Sequence, residues 1–165
     1  MAKSTPAISA PSTRPATVVI AHVSPSVEGG RYPTKRIAGE RLRVEADIFK
    51  DGHDVIAAVL KWKKRNGRTW EETPMAPGDN DRWWAEFTVP EAGEYRFTVE
   101  AWADDYLTWL HDFERRLTGD QVDFSTEIEE GRVMLNLAAD RAARGRSRED
   151  AEAIDSLVAD LMKTP

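Results

Sequence analysis

The sequence predicts a mainly β protein with a helical end, in which an antiparallel β-sandwich over residues 17–104 precedes a helical segment over residues 105–165. Two observations lead to this fold class. Up to about residue 103, short apolar or alternating stretches recur with turn residues between them, which is typical of an antiparallel sandwich. From about residue 106, the apolar spacing changes from two residues to three and four, which is typical of helices.

Strands are predicted where apolar and polar side chains alternate or where β-branched residues cluster. The stretch 41–49 gives the clearest alternation, with Leu42, Val44, Ala46 and Ile48 on one face and charged residues on the other. An immunoglobulin-like arrangement of the strands is expected. The absence of cysteine excludes the disulfide of antibody domains but not this fold. The predicted strands are 17–23, 41–49, 55–62, 69–75, 82–89 and 94–103, with a hairpin turn at Asn66-Gly67 and a loop at 76–81.

Three helices are predicted after the sandwich, over residues 106–117, 126–142 and 147–163. Thr126 and Glu129 have the spacing of a capping box at the start of the second helix. Gly131 lies inside that helix, where a glycine costs about 1 kcal/mol relative to alanine. Apolar helix stripes need a surface to bury them. We therefore expect either the sandwich or further helices to cover them, and the ending soon after the third helix indicates a truncated protein.

Composition excludes several functional classes. The formal net charge of -6 disfavours a nucleic-acid partner, because phosphate backbones are negatively charged. The absence of cysteine excludes thiolate metal sites, and the three histidines lack the spacing of a helical zinc motif. No apolar run is long enough to span a membrane. Residues 1–16 lack the apolar core of a secretory signal, so we expect a disordered tail and a cytoplasmic protein without cofactor or metal.

Two polar stretches have the residue types of chemical sites. The stretch "FKDGHD" contains Asp51, His53 and Asp54, and a histidine between carboxylates can act as a general base. A tight turn at Asp51-Gly52 is the favoured interpretation. The stretch "DNDRW" from residue 79 has calcium-ligand residue types without the ligand rhythm of a calcium loop, so a polar loop is favoured there.

The stretch "VEGGRYPTKR" from residue 27 combines two glycines with basic residues that include Arg31 and Lys35. It lacks the GxxxxGK[ST] pattern of a phosphate-binding loop, so loop geometry with surface charge is favoured. Binding of an anion or of a neighbouring domain stays open. Contact with another domain is the candidate role for Arg31, Lys35, Asp51, His53 and Asp54.

The tryptophans divide by strand parity. Trp83 shares a face with the apolar residues of its strand, which predicts a core position. Trp84 and Trp102 share their faces with polar residues, and they are weak candidates for stacking on sugar rings. The favoured interpretation is that helices or a second domain cover them, because exposed apolar patches mark contact surfaces. Trp109 is a candidate for packing of the first helix against the sandwich.

Five motifs in order resemble the N-terminal region of the bacterial α-1,4-glucan:maltose-1-phosphate maltosyltransferases, of the α-amylase-like glycoside hydrolase superfamily. The resemblance covers roughly residues 17–142. The motifs are "VEGGRYPTKRIAGE" (27–40), "VEADIFKDGHD" (44–54), "ETPMAPGDNDRW" (72–83), "FTVPEAGEYRFTVEAW" (87–102) and "TW" (108–109).

The resemblance implies a β-sandwich with an inserted helical bundle, a homodimer, and a (β/α)₈ barrel that follows and transfers maltosyl units from α-maltose 1-phosphate to α-1,4-glucans. No catalytic residue carries over, since the chain ends before the barrel would begin. We therefore expect a non-catalytic, structural or dimerisation part of such an enzyme. The alternative is a stand-alone glucan-binding module that uses Trp84 and Trp102.

Overall fold

The computed structural model describes residues 18–119, 123–145, 147–161 and 163, so the expected tail at residues 1–16 lies outside the described residues. The described chain divides into two compact units. One unit contains residues 18–52 together with Ile56–Ala103, and the other contains His53–Val55 together with the residues from Asp104 onward. The first unit holds the strands and the second holds the helices.

The strand unit consists of two antiparallel sheets, which confirms the predicted mainly β architecture with helices. One sheet has the strand order β1-β2-β6-β5 and the other the order β4-β3-β7. The strands are β1 (Val18–Ser24), β2 (Arg41–Lys50), β3 (Ile56–Lys64), β4 (Glu71–Pro74), β5 (Ala76–Pro77), β6 (Arg82–Thr88) and β7 (Tyr95–Ala103).

The core of the sandwich lies between the inward faces of the two sheets. The alternation predicted for β2 is confirmed, because Leu42, Val44, Ala46 and Ile48 are all buried. They meet the fully buried Leu60 of β3 in one cluster. The indole of Trp62 stacks on the ring of Phe87 with centroids 4.6 Å apart, which joins the two sheets by an aromatic contact. Trp83 is partly buried against this core, in agreement with its strand parity.

The structure differs from the expectation at residues 76–81. Ala76–Pro77 is not loop but the short strand β5, which pairs with Trp84 and Trp83 of β6. The following turn contains Asn80 and Asp81 with φ of 54° and 61°. Asparagine and aspartate tolerate this left-handed region better than most residues, which accounts for the residue types at positions 80 and 81.

The turn at Asn66-Gly67 is wider than a two-residue hairpin. Strand pairing between β3 and β4 ends at Trp62 opposite Glu71, so the connection spans residues 63–70. The amide of Gly67 donates to the carbonyl of Lys64 at 2.8 Å, which closes a turn inside this connection.

The helices are α1 (Asp105–Leu117), α2 (Ser125–Arg144) and α3 (Arg148–Leu161). The carboxylate of Asp104 accepts a hydrogen bond from the Leu107 amide at 2.9 Å and caps α1. The capping box predicted for α2 is wrong. The N-cap of α2 is Phe124, whose side chain makes no capping hydrogen bond, and the Asp123 carboxylate instead accepts from the Ser125 amide.

Helices α2 and α3 pack on each other, with Leu135, Ala139 and Ala151 buried. Small residues at such a contact let two helix backbones approach closely. No helix in the described ranges is long and apolar enough to cross a membrane.

Candidate functional site

The contact between α1 and α2 is built around the indole of Trp109. Its ring lies so close to Gly131 that a Cβ atom at that position would stand 2.3 Å from Cζ2 of the indole. The indole Nε1 donates to the backbone carbonyl of Glu127 at 2.8 Å. The glycine inside α2 therefore has a packing reason, since any larger residue would displace the tryptophan.

Aromatic rings on both sides hold Trp109 in this position. Phe113 lies one turn further along α1, and its ring is nearly parallel to the indole with centroids 5.4 Å apart. Phe124, the N-cap of α2, meets Phe113 edge-on at 5.7 Å. Tyr106 completes the row at 5.7 Å from Trp109. Such pairs add about 0.5–1.5 kcal/mol each beyond area burial, so the row fixes the helical pair.

A charged pair lies beside the aromatic row. The residue Glu127 is only 7% exposed, although glutamate is rarely buried. The Arg116 guanidinium, at the end of α1, donates a hydrogen bond to it. The pair joins α1 to α2 at a second point, because a buried carboxylate needs a charged or hydrogen-bonding partner.

The α1–α2 groove is a concavity of about 490 Å³ beside Trp109. Apolar surface in it comes from Trp109, Val133 and Met134, and Val133 is 45% exposed. The charged residues in the groove are Asp105, Asp112, Arg116, Glu127, Glu129 and Glu130, so carboxylates outnumber the one arginine.

Ion pairs neutralise part of this acidic lining. Glu127 pairs with Arg116, Asp112 with Arg115 and Glu129 with Arg132. Asp105 and Glu130 make no ion pair with any residue that the structure describes. A groove with an apolar surface and spare negative charge suits a ligand or segment that carries both cationic and apolar groups.

A second polar cluster covers the outer face of β1, β2 and β6. The Arg82 guanidinium donates to Asp47 at 2.8 Å and to Glu45 at 3.1 Å. These hydrogen bonds hold the pKa of both carboxyls below its usual range, and the pKa of Asp47 is lowered further by His22, whose Nδ1 lies 2.6 Å from it. The cluster ties three strands together across a bulge in β1 at Ala21–Ser24.

The two tryptophans considered for sugar stacking lie on opposite outer faces of the sandwich. Trp84 is on β6 in the first sheet and Trp102 on β7 in the second, and both alternate with inward-facing core residues. The Arg43 guanidinium covers the Trp84 ring at 4.4 Å from its centroid, whereas Trp102 is 45% exposed. A single sugar chain therefore has no platform composed of both rings.

The candidates for contact with another domain come from two segments of the chain, one on each side of β2. Lys35 and Arg31 lie in the exposed loop before the start of β2, while Asp51 follows the end of this ten-residue strand. A strand of that length spans about 33 Å, so its two ends lie far apart. His53 and Asp54 are exposed and belong to the beginning of the helical unit. The favoured turn is seen at Gly52, whose φ is 96°.

Sequence reasoning missed the Trp109–Gly131 contact and the burial of Glu127. The signal for the first was a glycine inside a helix, which is unfavourable unless packing requires it. The buried carboxylate had no comparable signal, because glutamates are frequent on exposed helix faces. The described residues include no group of three or more His, Asp or Glu side chains arranged to hold a metal ion.

Comparison with known proteins places this arrangement in a family. Residues 16–165 match the sequence model of domain N/S of α-1,4-glucan:maltose-1-phosphate maltosyltransferase. A protein of that name from Myxococcus xanthus is 38% identical over 153 residues, which cover 90% of this chain and 23% of the relative.

Two further maltosyltransferases match over most of this chain and a small part of their own length. The Chlorobaculum tepidum protein is 41% identical over 125 residues, covering 76% of this chain and 18% of the relative. The Streptomyces coelicolor protein 1 is 38% identical over 144 residues, covering 85% and 21%. The chain thus spans less than a quarter of the length of these relatives. The match over nearly the whole chain shows that it belongs to the α-1,4-glucan:maltose-1-phosphate maltosyltransferase family, in the region of domain N/S.

Proposed function

We propose that this chain is the N-terminal, non-catalytic part of a maltosyltransferase that transfers maltosyl units from α-maltose 1-phosphate to the non-reducing end of α-1,4-glucans. The observation that carries the proposal is the match of residues 16–165 to domain N/S of enzymes with that name. In this proposal the chemistry belongs to the remaining part of the enzyme, because over three quarters of each relative cited above lies outside the matched segment.

The role proposed for the chain itself is structural, as a dimerisation part of the enzyme. Support comes from the helical unit, which exposes large apolar side chains that water alone solvates poorly. Between 38% and 53% of each of these residues is exposed: Tyr106, Leu107, Leu117, Val133, Leu137 and Leu157. A second protein surface that covers them would stabilise the helical unit.

The proposal is tested first by activity. The purified chain is incubated with α-maltose 1-phosphate and maltoheptaose, and released phosphate is measured, with the Myxococcus xanthus enzyme as positive control. We expect phosphate release from the control and none from the chain. Phosphate release in proportion to the amount of chain would overturn the assignment as non-catalytic.

The assembly role is tested by sedimentation equilibrium of the same chain over a wide range of concentration. We expect a reversible dimer. A strict monomer at the highest concentration would contradict the dimerisation role and leave the family membership untouched. The cytoplasmic location, and the lack of nucleic-acid and membrane partners, stay predictions.

A second candidate function is a glucan-binding module. The exposure of Trp102 makes this residue, rather than Trp84, the candidate for stacking on a sugar ring. Titration of tryptophan fluorescence with maltoheptaose tests this candidate. A saturable shift that Trp102→Ala abolishes and Trp84→Ala leaves intact would support it. A titration without any shift would exclude it.

A further inference from the structure

Part of the connection between β1 and β2 is rich in basic residues, and we call it the basic loop (residues 31–37). It contains Arg31, Lys35 and Arg36 and no acidic residue. None of these three cations makes an ion pair with a described residue. The guanidinium of Arg36 instead donates to the carbonyl of Lys35, and that of Arg31 lies over the ring of Tyr32.

Ile37, at the end of the basic loop, is 71% exposed, the highest value among the exposed large hydrophobic residues of the described chain. Its position is held by the turn that follows. Its amide donates to the Glu40 carboxylate at 3.2 Å, and the Glu40 amide donates back to its carbonyl at 3.1 Å. An apolar side chain presented on a hydrogen-bonded turn loses little conformational freedom when a partner covers it.

The turn is anchored to the end of the sandwich through Gly39 and Val89. The Gly39 amide donates to the Val89 carbonyl at 2.7 Å, and the Val89 amide donates to the Glu40 carbonyl at 3.2 Å. Gly39 has φ of 89°, a conformation that side chains other than glycine disfavour. Backbone hydrogen bonds therefore fix the chain just after the basic loop to the segment that follows β6.

The α1–α2 groove has complementary properties. It offers apolar surface from Trp109, Val133 and Met134, and it contains Asp105 and Glu130, which lack ion-pair partners among the described residues. The basic loop offers one exposed apolar side chain with unpaired cations beside it. The groove and the basic loop are therefore complementary: each has apolar surface, and their unpaired charges are of opposite sign.

We propose that the basic loop of one copy of this chain docks into the α1–α2 groove of a second copy. In a symmetric dimer this contact forms twice, because the same loop and groove are present on both copies. The inference rests on the dimerisation role proposed above, and it adds which surfaces form the interface. Ile37 meets the apolar surface of the groove, and Lys35 and Arg36 meet its carboxylates.

Charge reversal on each surface tests the pairing. The loop variant carries Lys35→Glu and Arg36→Glu. The groove variant carries Asp105→Lys and Glu130→Lys, at the two groove carboxylates that lack an ion-pair partner among the described residues. Each variant alone should dimerise at least about tenfold more weakly in sedimentation equilibrium, because like charges then face each other twice. A 1:1 mixture should form a heterodimer at near the original affinity, since both of its contacts again join opposite charges.

Two controls keep the result specific. A matched double reversal on α3, Glu152→Lys with Asp155→Lys, should leave the dimer unchanged because both residues lie outside the groove. Ile37→Ser should weaken the dimer without changing the unfolding transition of the monomer at low concentration. Val19→Ser, at an exposed apolar position of β1, should not weaken it. Circular dichroism of every variant checks that the sandwich and helices are retained.

The outcomes separate this inference from the proposed function. A monomeric parent chain would overturn both. A dimer that neither variant weakens, or that the α3 control weakens equally, would overturn the loop–groove pairing and leave the assembly role standing. Weakening by both variants without recovery in the mixture would also overturn it, because a loop and groove that meet within one chain cannot exchange partners between copies.

Discussion

The indole ring of Trp109 occupies the space in which a side chain at position 131 would have to begin. With the ideal Cβ only 2.3 Å from Cζ2, no residue other than glycine fits without movement of the ring. Gly131 costs α2 about 1 kcal/mol of helix propensity. The close approach allows the Trp109 indole to donate a hydrogen bond to the Glu127 carbonyl of α2. The same indole stacks on Phe113 of its own helix.

Replacing the glycine tests this relationship. Gly131→Ala should destabilise the helical unit by about 1–3 kcal/mol, the usual cost of overpacking, although alanine is the better helix former. Chemical denaturation followed by helical ellipticity measures the change. Ser156→Ala, at an exposed position inside α3, is the matched control and should be neutral or slightly stabilising. Stabilisation by Gly131→Ala would mean that Trp109 does not occupy this position.

Arg116→Met should destabilise the contact between α1 and α2. It removes the guanidinium that donates to the buried Glu127 carboxylate, and hydrogen bonds to charged groups contribute about 1.5–3 kcal/mol. The half-exposed position of Arg116 places the expected loss at the lower end of that range. Denaturation of the single variant and of Arg116→Met with Glu127→Leu measures it. The double variant should recover part of the loss, since no carboxylate then remains to be desolvated.

The Arg82 cluster predicts a dependence of sandwich stability on acid. Hydrogen bonds from Arg82 lower the pKa of Glu45 and Asp47 in the folded protein. Carboxyls with a depressed folded pKa stabilise the fold above their unfolded pKa, near 4, and this contribution is lost as the pH falls through the folded pKa.

Arg82→Met should therefore flatten the fall of the unfolding free energy between pH 5 and pH 2. Urea denaturation at several pH values in this range measures the slope. Arg41→Met is the control, because Arg41 is an exposed arginine of β2 that lies outside the cluster. Equal slopes for parent and Arg82→Met would contradict the role of the cluster.

Acrylamide quenching should distinguish the two outer tryptophans. Trp102 is 45% exposed, whereas the Arg43 guanidinium lies over the ring of Trp84. We expect Trp102→Phe to remove more of the quenchable fluorescence than Trp84→Phe. If Trp84→Phe removes the larger share, the Arg43 contact is absent in solution.

The sandwich was predictable because burial acts on every second residue of its strands. Leu42 to Ile48 alternate so regularly that only one face of β2 can enter the core. The short strand at Ala76–Pro77 was missed because two residues carry no period, and their pairing depends on a partner strand that begins at Arg82. The capping box at Thr126 was wrong because the helix begins one residue earlier, with Phe124 at the N-cap.

The α1–α2 groove was not predictable from periodicity. Its lining comes from two helices, and each helix alone shows only a charged surface with scattered apolar residues. Trp109 lies off the apolar stripe that spacing assigned to α1, yet it is the residue that contacts Gly131. Which residues of two helices meet depends on their crossing, and a single sequence does not specify that crossing.

At Met75 one continuous stretch of backbone passes from one sheet to the other. The Met75 amide donates to Ala58 of β3, and the next residue pairs with Trp84 of β6. Separation of the two sheets therefore requires residues 71–74 to leave β3 or residues 76–77 to leave β6. The amide protons of β3 and β6 are therefore expected to exchange with solvent through one shared opening event, with a single protection free energy for both sheets.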